Sequence, residues 1–188
     1  SDIYSTSGFL LGLGAFDIAS IQYIYGPNTD FNQEDNTYIL NSNLNGYQCI
    51  WDAGGEDVID ASNASSLVTI DLRNATLQNE SGGGGFVSKV KDSSKGGFTI
   101  AYNSTGSCVI ENAIGSSHND NLIGNTFNNT ITGGAGDDTI FGGKGNDNID
   151  GGAGKDTAVF KGVFADYSFS LNSSTNSIQI TDSSSGRD

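Results

Sequence analysis

Asp138, Asp147 and Asp156 recur nine residues apart, each set among glycines in GGAGDDTIF, GGKGNDNID and GGAGKDTAV. Two earlier blocks, GSSHNDNLI and GNTFNNTIT, put Asp120 and Asn129 in the same place, so five blocks run from Gly115 without insertion. Acid at this density has two readings: a solvated surface, or carboxylates waiting for cations. The glycines decide between them. Glycine at positions one, two and four opens backbone conformations closed to residues with a Cβ, so carbonyl oxygens can turn inward and converge. The position-six aspartate then closes the shell with a charged oxygen. Six to eight oxygens at roughly 2.3–2.6 Å are what a calcium ion requires.

The candidate ligands follow block by block. They are Gly133, Gly134, Gly136 and Asp138 in the third block, then Gly142, Gly143, Gly145 and Asp147 in the fourth. Gly151, Gly152, Gly154 and Asp156 complete the fifth, and Ser116, His118 and Asp120 belong to the first, where carbonyls still serve without glycine. The second block lacks two glycines and carries Asn129 for aspartate, which predicts a weak or empty site. Position eight supplies an inward aliphatic residue each time: Leu122, Ile131, Ile140, Ile149 and Ala158. Strict register and these aliphatics argue against a disordered linker. Two blocks make one turn of a right-handed parallel coil, so loops two blocks apart stack at about 4.8 Å. Asp138 then lies near Asp120 and Asp156, and Asp147 near Asn129. Like charges so placed need a counterion, and a dication between each pair turns repulsion into adhesion. The pattern G-G-x-G-x-D-x-U-x is that of the calcium-binding repeats-in-toxin (RTX) proteins.

The elements around the repeats must hold this stack. LLGLGAFDIASIQYIY, Leu10 to Tyr25, has helical spacing and ends at Gly26-Pro27. From Asn28 to about Asn112, TYIL, YQCIW, DVID, SLVTIDL, FTIAY and CVIEN read as short strands of an all-β segment. Ser81 to Gly97 reads as a loop or wide hairpin bearing three lysines, and SFSL and SIQI as a closing hairpin. The fold class is all-β: a parallel β-roll with a sandwich-like N-terminal cap, one helix before it and a C-terminal hairpin. The boundaries drawn are 1–28, 29–114, 115–159 and 160–188.

The totals exclude other partners. A net charge of −14 with eight lysines and arginines repels phosphate, so no nucleic acid is expected. No apolar run approaches the ~20 residues of a membrane span, and SDIYSTSGFL has no basic leader region. Cys49 and Cys108 are either two thiols or one disulfide, and spacing does not decide. With one histidine, His118, and no methionine, the chain has no H-E-x-x-H motif, no zinc site and no catalytic constellation; His118 reads as a surface loop residue.

Beyond the repeats, FDIASIQYIYGPN, CIWDAGGEDVIDAS and VIENAIGSSHND resemble the C-terminal region of the serralysins, secreted zinc metalloproteases with an RTX β-roll. The resemblance covers nearly all of residues 16–160 and implies further calcium ligands. These are the side chains of Asp52, Asp57 and Glu111 with carbonyls of Gly54, Gly55 and Val109, and a contribution around Gln33, Asp35 and Thr37. There QEDNTY departs from the family's pattern. It also implies that Cys49 and Cys108, each three residues before a ligand, lie on neighbouring strands, with a disulfide as one outcome. The function implied is a non-catalytic, extracellular module that folds on calcium. It serves type I secretion and supports an attached catalytic domain. A surface adhesin or S-layer module, with glycans meeting Trp51 or Phe127, and a module of a polysaccharide-modifying enzyme are the alternatives.

Overall fold

The structure, a computed structural model, describes residues 12–78, 84–91, 96–102, 108–172 and 177–182. The expected helix start at Leu10, the leader region, parts of the Lys-bearing segment and the SSSGRD end lie outside the described residues.

Helix α1, Ala15–Tyr25, starts at Gly14, whose N–H donates to the Asp17 carboxylate at 3.0 Å, the one half of a capping box open to a glycine. It ends at Gly26, whose N–H donates to the Gln22 carbonyl. Of the apolar residues at helical spacing, Ala19 is buried and Ile18 packs half-buried against the core, but the larger ones are not buried. Ala15, Ala19 and Gln22 face the protein, while Phe16, Ile21, Tyr23 and Tyr25 are exposed. Small residues let the helix backbone lie close, and the Gln22 amide donates to the Tyr102 carbonyl.

The strands are β1 Thr37–Ile39, β2 Gly46–Ile50, β3 Val58–Asp60, β4 Val68–Asp71, β5 Lys89–Val90, β6 Gly96–Ile100 and β7 Asn112–Ile114. They continue as β8 Asn121–Ile123, β9 Thr130–Ala135, β10 Thr139–Phe141, β11 Asn148–Ala153 and β12 Thr157–Ala158. The last two are β13 Tyr167–Asn172 and β14 Ser177–Asp182. Within the repeats, successive strands alternate between two sheets, so each strand pairs in parallel with the one eighteen residues away: Ile140 opposite Leu122 and Ala158, Ile149 opposite Ile131. One sheet runs β1-β3-β7-β9-β11 and the other β12-β10-β8-β4-β5.

Both sheets contain strands from either side of residue 114. The sandwich expected for the N-terminal segment gives way to parallel strands that extend the roll: Ile59 lies opposite Ala113, and Ile70 opposite Leu122. The physical reason is shared burial. Ile59, Ile70, Leu122 and Ile131 are fully buried, Ala113 and Ile140 nearly so, and all form one column of core between the sheets. The column thins at its far end, where Ile149 is half-buried and Ala158 exposed, because no further coil among the described residues lies over them. Beside the roll, β2 and β6 pair in parallel, and Ser88 and Phe98 exchange both backbone hydrogen bonds. The Lys-bearing segment therefore contains a wide hairpin, with Lys89 in strand β5 at a sheet edge. Strands β13 and β14 form the antiparallel hairpin read from SFSL and SIQI, with Phe169 opposite Ile180. No helix among the described residues is long and apolar enough to cross a membrane.

Candidate metal centre

Loops one turn apart are tied by side-chain bonds, and between most of the glycine-rich blocks two such bonds run in opposite directions. The position-six carboxylate of the later coil accepts the N–H of position six in the earlier one. Val68 donates to Asp120 Oδ1 at 2.7 Å, Asp120 to Asp138 Oδ1 at 2.7 Å, and Asp138 to Asp156 Oδ1 at 3.0 Å. Position five works the other way: Asp137 N–H donates to Asn119 Oδ1 at 3.0 Å and Lys155 N–H to Asp137 Oδ1 at 2.8 Å. On the opposite edge, Asn129 N–H donates to Asp147 Oδ1 at 2.9 Å and Asn146 N–H to Asn128 Oδ1 at 2.8 Å.

The same pair of bonds joins two loops outside the glycine-rich blocks. Asn36 N–H donates to Asp57 Oδ1 at 2.8 Å, and Glu56 N–H to Asp35 Oδ1 at 2.9 Å. The ladder continues from Asp57 N–H to Glu111 Oε2 at 2.9 Å. Gly55 has φ +116°, and a Cβ there would lie 2.7 Å from the Glu34 carbonyl carbon. Gly136, at position four of the third block, has φ +119° and the equivalent clash with His118 at 2.6 Å. Asn32, with φ +49°, stands where the blocks place their second glycine. Loops 31–36 and 52–57 are thus coils of the same stack, a kinship their sequences hide.

These ladders use one oxygen of each carboxylate. The second oxygen leans over the position-one glycine of its own loop, as Asp138 does over Gly133, Asp147 over Gly142 and Asp156 over Gly151. Asp57 and Asp138 are 0% and 1% exposed, and the Oδ2 of each is a buried atom with no hydrogen-bond partner. Burial raises the Asp138 carboxyl above its usual range, with the charges of Asp120, Asp156 and Asp137 adding to it, and burial raises Asp147 too. Asp57 is pushed up to about 7, by burial first and then by Asp52 and Glu111; burial raises Glu111 as well. Asp52, fully buried, accepts the Tyr38 hydroxyl at 2.5 Å, and Tyr38 is raised in turn, by burial and then by Asp52.

A buried carboxylate oxygen without a partner costs several kcal/mol unless a cation meets it. The available donors are oxygens of carboxylates and carbonyls, the set suited to a hard cation such as calcium. Among the described residues, no group of three or more His, Cys, Asp or Glu side chains converges as a metal cluster. A cage here therefore takes most of its oxygens from the backbone.

The remaining candidates divide. Asp120 is already satisfied, accepting Ser116 N–H at 2.5 Å on Oδ2 and Ser116 Oγ at 2.9 Å on Oδ1. His118 is exposed, and its N–H donates to Ser116 Oγ at 3.1 Å. Gln33 and Thr37 are exposed, with the Gln33 amide donating to the Thr29 carbonyl. Gly54 and Val109 are half-buried beside Asp52 and Glu111. Cys49 and Cys108 are thiols, not a disulfide. Burial raises the Cys49 thiol, and pushes Cys108, whose Sγ lies 3.9 Å from the Ile50 carbonyl oxygen, up to about 12.

No curated protein matches the chain. Residues 114–149 and 123–158 each match the family model for the RTX calcium-binding nonapeptide repeat, a unit of four copies. With the parallel eighteen-residue turn and the inward carboxylates, this identifies residues 114–158 as hemolysin-type RTX calcium-binding repeats.

Proposed function

We propose that the chain is the calcium-binding, non-catalytic C-terminal module of a secreted serralysin-like protein, folding on extracellular calcium and supporting the export and stability of an attached domain. The observation that carries this reading is the unpartnered Oδ2 of Asp138, buried between stacked loops of an RTX repeat. Asp57 Oδ2 repeats it in the N-terminal coils, which favours a second group of ions held by Asp52, Asp57 and Glu111 with nearby carbonyls. The apolar residues that α1 leaves exposed, Tyr23, Ile24 and Tyr25, offer an attached domain a surface to pack on. Extracellular modules bind calcium with Kd near 10⁻⁴–10⁻³ M, so at about 1 mM calcium a 10⁻⁴ M site adds roughly 1.4 kcal/mol. Several such sites decide whether a domain of ordinary stability is folded.

Circular dichroism during a calcium titration of chelator-treated protein tests the proposal. The β signal and the melting temperature fall on chelation and recover with millimolar calcium but not magnesium, whose octahedral shell a carbonyl cage fits poorly. A spectrum and melting temperature indifferent to chelator would end this reading.

A further inference from the structure

The second repeat still donates into the position-six ladder through Asn129 N–H, but its side-chain oxygen turns back into its own loop, which closes with a network of its own. Asn129 and Asn125 are 2% and 5% exposed. Asn129 Oδ1 accepts the Asn125 N–H at 2.9 Å, while Nδ2 donates to the Glu111 carbonyl at 2.9 Å and to Asn125 Oδ1 at 3.2 Å. The Asn125 amide donates to the carbonyls of Ile110 at 2.9 Å and Leu72 at 3.3 Å, and its Oδ1 accepts the Phe127 N–H at 2.8 Å. The partners fix the Asn129 amide one way round: turned over, its NH₂ would face the Asn125 N–H and its oxygen would face two acceptors. The Glu111 carbonyl and the side-chain oxygens of Asn125 and Asn129 therefore already have donors. Asp138, at the same position in the next repeat, has an orphan oxygen instead.

We infer that the second repeat is an ion-free rung, in which the Asn125–Asn129 pair does the work that calcium does in its neighbours. The pair ties the repeats to the N-terminal coils through Leu72, Ile110 and Glu111 at any calcium concentration. On its own edge of the roll it separates calcium sites around Asp57 and Glu111 from one around Asp147. The inference rests on the calcium module proposed above and adds which rung needs no ion.

Two variants of the full chain test it, Asn129→Asp and Asn125→Ala, by thermal melts with and without millimolar calcium and by equilibrium dialysis against radioactive calcium. Without calcium, Asn129→Asp melts about 5–15 °C below the parent, because a buried carboxylate has replaced a satisfied amide. With calcium the gap closes and one additional ion is bound. Asn125→Ala loses about 2–6 °C in both conditions and binds as many ions as the parent, since only hydrogen bonds are removed. An Asn129→Asp chain with the parent's ion count and the same deficit in both conditions would overturn the inference. So would an Asn125→Ala deficit that calcium erases. If Asn129→Asp does not fold, the Asn125→Ala melts alone decide. A parent chain that binds no calcium fails the module proposal instead, while a calcium-blind Asn125→Ala deficit would still uphold a rung that works without ions.

Discussion

One carboxylate serves two masters in this stack, and Asp138 shows the consequence most plainly. Its Oδ1 holds the backbone of the preceding coil, while its Oδ2 is buried and unpaired. Removing the side chain therefore costs more with the ion than without it. In millimolar calcium, Asp138→Ala is expected to lower stability by about 2–4 kcal/mol, the loss of a charge-assisted hydrogen bond together with a site worth roughly 1.4 kcal/mol. In calcium-free buffer the cost shrinks or reverses, because the variant no longer buries an orphan charge. Paired urea titrations read both. An equal loss in the two buffers would mean that Asp138 acts only as a hydrogen-bond acceptor.

At the scale of elements, the roll was legible wherever the period was strict. Nine-residue spacing with an aliphatic at position eight places β8 to β12 and the inward Leu122, Ile131 and Ile140. The helix was legible at its end, where Gly26 caps it, but only partly in its buried face, since the contacts of Ala15 and Ala19 are decided by neighbours remote in sequence. Loops 31–36 and 52–57 were not legible as coils of this roll. Phe31, Asn32, Asp52 and Ala53 stand where the repeats have their first two glycines, and Thr37 pairs with Val58 across twenty-one residues rather than eighteen. Nor does sequence reveal that β7 returns to pair with β3 after an excursion through β4, β5 and β6. The kinship has a direct test. Gly55→Ala and Gly136→Ala each force a Cβ into backbone one turn away at a positive φ, so each should cost at least about 1–3 kcal/mol. Chemical denaturation in calcium measures both. A neutral Gly55→Ala beside a damaging Gly136→Ala would show that the N-terminal loop lacks the repeat geometry.

For the whole molecule, the buried carboxyls make calcium and protons competitors for the same folded state. In the ion-free chain, Asp57 is raised to about 7 and Glu111, Asp138 and Asp147 are raised, burial being the first cause in each. A carboxyl raised on folding holds its proton more tightly in the folded than in the unfolded chain, where it titrates near 4. Its contribution is complete below that unfolded value and is lost as pH rises through the folded one. Calcium-stripped protein should therefore lose stability between about pH 4 and pH 7, the upper limit set by Asp57. Calcium requires the deprotonated form, so its stabilisation grows over the same interval and offsets the loss. Melting temperatures of dialysed and calcium-replete protein should lie close together near pH 4 and diverge toward pH 7. Two curves that stay parallel across that range would mean that these carboxylates are not where the ion acts, and the charge balance proposed for the stack would fail with them.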